Sequence, residues 1–167
     1  MNPEQYSYKI QSHVKYIRQD NSNAKAIKYI YEREGEQSIM LSKGKEAFLK
    51  CVEVLQRKEK IRHISFKKEL NIHIPDDKEL WADRGYIERQ CNDKRQEFPS
   101  MDESAFHFDI GSSNPEVSLI LQLVDDSSFK GSRRENLLNN DYKFIGISNF
   151  TQGNISCSYF FLSGDIE

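Results

Sequence analysis

Asp125 and Asp126 lie a few residues ahead of Arg133 and Arg134, the most suggestive grouping of ionisable side chains in the chain. Carboxylates and guanidinium groups form charge-assisted hydrogen bonds, so these four could pair across the turn they bracket and fix its geometry, or could meet a ligand. His107 could ligate a metal or carry a proton, because imidazole titrates near neutral pH. A purely structural histidine is the plainer reading. His63 and His73 are ten residues apart, not at the i, i+4 spacing that brings two imidazoles to one metal on a helix, and no site is assigned to them.

Other chemistry finds little support. Ser127, Ser128 and Ser132 lack a G-x-S-x-G setting and a recognisable His and Asp constellation, so a hydrolase triad is unsupported. There are 8 Gly and no phosphate-cradling glycine loop of either common pattern. The cations of KGSRREN fit a solvated or ion-paired surface better than a nucleic-acid contact. Cys51, Cys91 and Cys157 have no C-x-x-C spacing and read as free thiols in a reducing compartment, packed as small hydrophobes.

The elements that must position these residues are unevenly marked. Ile10, Val14 and Ile17, then Ile27, Ile30 and Tyr31, recur at helical spacing and predict two short helices, with Asn23 capping the second and Gly35 stopping it. Phe48, Cys51, Val52 and Leu55 fall on one face and predict an amphipathic helix entered near Ser42. Residues 61–74 mix β-branched and charged side chains without a period, which leaves strand, loop and short helix open.

Pro75-Asp76-Asp77 offers a turn and cap before a helix lined by Leu80, Ile87 and Cys91 that runs to about Arg89. The polar stretch from Asn92 to Ser104 reads as an exposed connection. Asn114-Pro115-Glu116 supplies a cap, a first-turn proline and a carboxylate favoured by the helix dipole. The apolar run from Val117 to Val124 continues that helix into the core, and Phe144–Phe150 with Ile155–Leu162 read as a closing hairpin.

The chain has 167 residues, enough for one domain that buries about 70% of its unfolded surface. Its 24 Lys and Arg against 26 Asp and Glu leave a net charge of -2, which gives no global field for nucleic acid or an anionic membrane. With 10 Phe and 8 Tyr the sequence should fold despite a mean hydropathy of -0.74. The first twenty residues have neither an apolar run nor a small-residue cleavage site, so no export signal is expected. No stretch has the length and apolarity of a membrane span.

The segment GSSNPEVSLILQLVDDSSFKGSRRENLLNNDYKFIGIS, from Gly111 to Ser148, resembles the CAP family of cysteine-rich secretory, antigen 5 and pathogenesis-related 1 proteins. It is most similar to the versions found in single-celled eukaryotes, where a helix ending like LIVDDG precedes SRGHRKNIFN and a strand like FKFVGIA. VKYIRQDNSNAKAI and GKEAFLKCVEVLQ resemble the family's opening helices more loosely, and residues 61–105 match least. The resemblance implies an α+β fold over residues 1–167 as a single domain: a CAP-like α-β-α sandwich with a small, mainly antiparallel sheet between helices.

Many CAP domains carry two histidines and two acidic residues able to hold a divalent metal. In this sequence the histidine of the family's GHR element falls on Arg133, whose guanidinium has no lone pair to give. The acidic residue of the GEN element falls near Phe106, and the other histidine has no counterpart between Ala82 and Ser104. The resemblance therefore implies no metal, no cofactor and no enzymatic activity. It points to a structural or docking subunit, with other proteins as partners, in a larger intracellular assembly of ciliary or cytoskeletal kind. The alternatives are a small-molecule or lipid groove remodelled by Phe106, His107 and Arg133, and a hydrolase with a rebuilt site.

Overall fold

The computed structural model describes residues 2–21, 28–99, 101, 103–126, 132–152 and 155–166. Along the chain these form α1 (Pro3–His13), β1 (Ile17–Asp20), β2 (Lys28–Tyr31), β3 (Ile39–Leu41), α2 (Lys45–Gln56), β4 (Ser65–Phe66), α3 (Arg84–Glu97), β5 (Ser104–Ile110), α4 (Pro115–Val124), α5 (Ser132–Leu137), β6 (Phe144–Gln152) and β7 (Ile155–Ser163). The class is α+β, with a three-stranded antiparallel sheet and a four-stranded mixed sheet that is mainly antiparallel. The chain divides into two compact units, one built from Met1–Arg62 with Gly111–Leu138 and the other from His63–Ile110 with Asn139–Glu167.

In the first unit, Asn2 caps α1 by accepting the Glu4 N–H at 3.0 Å, and Pro3 occupies the first turn, where a missing N–H costs nothing. Ser7, Ile10 and His13 form its buried stripe. The amphipathic spacing expected of α2 is realised, with Ala47, Phe48, Cys51, Val52 and Leu55 buried. Asn114 caps α4 as its sequence promised, accepting from Glu116 and Val117, and every residue from Ile120 to Val124 lies in the interior. The Cys51 thiol donates to the Leu123 carbonyl at 3.2 Å and so joins α2 to α4.

The second helix expected before Gly35 is not formed. Lys28–Tyr31 is instead the central strand of the small sheet, with Tyr31 opposite Ile17 on one side and Ile39 on the other. Tyr29, Ile30 and Tyr31 suit a pleated surface, and two antiparallel partners supply the backbone bonds a short helix would have made internally. The cap assigned to Asn23 lies outside the described residues.

In the second unit the strand order is β4-β6-β7-β5, and the expected hairpin is the β6–β7 pair. Phe106, Phe108, Cys157, Tyr159 and Phe161 pack with Leu70, Ile72, Ile74, Trp81 and Cys91. Tyr159 donates to the Trp81 carbonyl at 2.6 Å, and the Trp81 indole donates to Pro75 at 2.8 Å, so both buried polar tips are satisfied.

The helix expected to begin after Asp77 is only a short 3-10 turn, Lys78–Leu80, and α3 starts afterwards behind an Asp83 cap. It then continues to Glu97, through residues expected to be an exposed connection. The stretch is polar because Cys91 alone among the α3 residues is buried, and Arg84–Glu88 and Lys94–Glu97 ion pairs line its surface.

Candidate functional site

The grouping at Asp125, Asp126, Arg133 and Arg134 is assembled in the first unit where α4 gives way to α5. Asp125 ends α4 in the left-handed conformation, φ 55° and ψ 46°, its N–H bonded to Leu121 at 2.9 Å. Aspartate tolerates this region better than most side chains. Its Oδ2 accepts the backbone N–H groups of Arg133 at 2.9 Å and Arg134 at 3.4 Å, which anchors the start of α5. Its Oδ1 is buried and has no hydrogen-bond partner among the described residues.

Asp126 faces the other way. Its carboxylate accepts three successive backbone N–H groups, those of Ser42, of Lys43 at 2.8 Å and of Gly44 at 2.9 Å, at the amino end of α2. Gly44 bends there with φ 59°, and a Cβ would collide with the Tyr29 ring, so the cradle needs glycine. Orphan amides and the helix dipole both favour an anion at that end, and the chain supplies its own.

Both aspartates are met by backbone amides of their own unit. Arg134 turns its guanidinium to the Val124 carbonyl at 3.0 Å. It also lies close enough to Cys51 to favour the thiolate, but burial dominates and pushes that thiol up to about 11. A thiol so protonated is a poor nucleophile. The grouping can clamp three chain segments; Ser127, Ser128 and Lys130 lie outside the described residues.

Phe106 and His107 lie in the second unit, on β5. The strand's alternation turns half-buried Phe106 edge-on to Tyr159, with ring centroids 5.2 Å apart, and leaves His107, which is buried, on the opposite face beside Phe160. The six candidate residues are thus divided between the units. Among the described residues no group of three or more His, Cys, Asp or Glu side chains is arranged to hold a metal ion.

A second polar cluster in the first unit had no motif to announce it. His13, 4% exposed at the end of α1, has Nδ1 2.7 Å from the hydroxyl of fully buried Tyr31 on β2. Its Nε2 lies 3.7 Å from the Glu116 carboxylate on α4, which also holds Lys9 at 3.1 Å. Burial and then Arg33 lower the His13 pKa, against the pull of Glu116. Burial pushes Tyr31 up to about 12. In sequence His13 is a lone histidine, and Glu116 is fully accounted for as a first-turn carboxylate.

Comparison with protein-family models, curated proteins and solved structures finds no match for the chain. No helix among the described residues is long and apolar enough to cross a membrane.

Proposed function

We propose that this protein is a non-catalytic, CAP-like domain serving as a structural or docking subunit of a larger intracellular assembly, with a ciliary or cytoskeletal setting suggested by the sequence resemblance. The observation that carries the reading is the use of Asp125 and Asp126. Both bind backbone amides within their own unit, so the most suggestive polar grouping in the sequence works to hold segments in place.

Two further features support it. The order of helix, aspartate pair, short helix and strand from α4 to β6 follows the order of the CAP-like segments. In the second unit, Phe66 and Ile147 are 57% and 40% exposed, and the β4–β6 register sets Phe66 opposite Ile145, on the face that Ile147 shares. Apolar side chains left in water on one sheet face suit a protein contact.

Native co-purification and proximity labelling from the source cell test the proposal. A reproducible set of protein neighbours, reduced by Phe66→Ser with Ile147→Ser, is the expected result. A monomer that never co-purifies with other proteins under gentle lysis would remove the support.

A further inference from the structure

The four-stranded sheet of the second unit ends on β4, which among the described residues pairs with β6 alone. We propose that the outer side of β4 receives an extended, acidic segment of a partner protein, laid beside the strand with an apolar side chain on Phe66 and Ile147. This rests on the docking reading above and names the chemistry of the partner.

Backbone geometry opens the edge. Ser65 and Lys67 donate their N–H groups inward, to the Lys143 and Ile145 carbonyls, each at 2.9 Å. The residue between them, Phe66, therefore turns its own N–H and C=O to the outer side, where a further chain can pair with them. Past β4 the same side of β6 is already used: Ile147 donates its N–H to the Asn71 side chain at 3.0 Å, and Ser148 accepts from the Ile72 N–H at 2.9 Å. An added segment thus lies against β4, not against β6.

The side chains decide what can lie there. Phe66 and Ile147 are exposed on one face of the sheet and offer an apolar seat. Around them the charge is positive. From His63 to Lys68 the chain reads HISFKK, with two lysines and no carboxylate, and it arrives through Lys60 and Arg62. Lys143, exposed where β6 begins beside Ser65, is a third lysine. Lys67 holds its Nζ 5.5 Å from the centre of the Phe144 ring, and none of the three lysines forms an ion pair among the described residues. The carboxylates next in sequence, Glu69 and Asp141, are too few to balance these cations.

That charge also selects against a second copy of this chain. Pairing β4 with its own kind would set lysines against lysines, and like charges across a strand pair are destabilising. Lysines on a short edge strand are a common guard against such self-association. A segment carrying Asp or Glu meets no such barrier, and its attraction to the same lysines makes the guard a filter. Apolar contact holds the partner, and charge chooses it.

The test titrates the isotope-labelled full chain with synthetic peptides of alternating Glu and Val, Ser and Val, or Lys and Val, followed by amide NMR. The Glu–Val peptide should shift the Phe66 and Ile147 amides saturably, and the Lys–Val peptide should not. Lys68→Glu with Lys143→Glu, both on exposed side chains, should weaken Glu–Val binding roughly tenfold and favour Lys–Val. In wild type, raising salt to about 0.5 M should weaken Glu–Val binding by a similar factor, which reads the charge term without any substitution. Phe66→Ser should weaken binding of Glu–Val at high and low salt alike. No saturable shift with Glu–Val overturns the proposal, as do equal binding of Lys–Val or an affinity that neither charge reversal nor salt moves. Protein neighbours that depend on Phe66 and Ile147 in native co-purification, found without Glu–Val binding, would overturn the acidic partner and leave the docking reading in place.

Discussion

Asp126 closes the amino end of α2 through Gly44, accepting its N–H at 2.9 Å across a separation of 82 residues in sequence. Ser42 and Lys43 donate to the same carboxylate, so one side chain satisfies three amides that the helix itself cannot reach. Asp126→Ala should cost about 2–4 kcal/mol, since it removes charge-assisted bonds and leaves partly buried donors unmet. Urea denaturation read by circular dichroism measures the loss. Asp126→Asn, which retains an acceptor oxygen but no charge, should fall between wild type and alanine.

Glycine replacements should divide by environment. At Gly146 on β6 an added Cβ would meet the backbone carbonyl of Leu70, and backbone cannot swing aside. Gly146→Ala should therefore destabilise by about 1–3 kcal/mol. Gly85, in the first turn of α3, has its nearest neighbour at an ordinary 3.5 Å, and Gly85→Ala should stabilise by up to about 0.5 kcal/mol. Thermal melts of both variants give the comparison.

Tyr159→Phe deletes a hydroxyl that donates to the Trp81 carbonyl at 2.6 Å in the second unit's core. The carbonyl is then left without that donor. A loss of about 1–2 kcal/mol is expected, with the near-ultraviolet signal of Trp81 altered before unfolding. Equal stability of the two proteins by denaturation would refute this.

The three cysteines should be silent in the folded protein. Burial pushes Cys51 and Cys91 up to about 11 and Cys157 up to about 12, and all three are buried. A thiol-reactive disulfide at pH 8 should label the native chain slowly and all three sites rapidly in denaturant. Fast labelling of a native site would place that thiol within reach of solvent.

Legibility followed the physics that each segment obeys. α2 and α4 were readable because a one-sided core imposes a helical period, and because Asn114, Pro115 and Glu116 bring local capping chemistry of their own. β6 and β7 were readable as two β-rich runs, and they pair antiparallel. Lys28–Tyr31 misled because its apolar residues also suit a helix, and only pairing with β1 and β3 selects the strand. The polar half of α3 buries so little that it carries almost no periodic signal.

At the site, the aspartates were legible as a concentration of charge, but their partners were not, because backbone amides leave no mark in a sequence. His13, Tyr31 and Glu116 meet only through folding, 18 residues separating the first two. No local pattern could have joined them.

The interleaving of the two units has a consequence for the order of events on the ribosome. The chain passes between them after Arg62, Ile110 and Leu138, so neither is contiguous. When α2 has emerged to Gln56, Asp126 still lies 70 residues further along the chain (126 − 56), and the helix must wait for it before its end is sealed. The first unit is completed only when Leu138 has left the exit tunnel, and the second only with β7. Nascent chains shorter than this should lean on chaperones, and neither unit should be obtainable as a simple truncation.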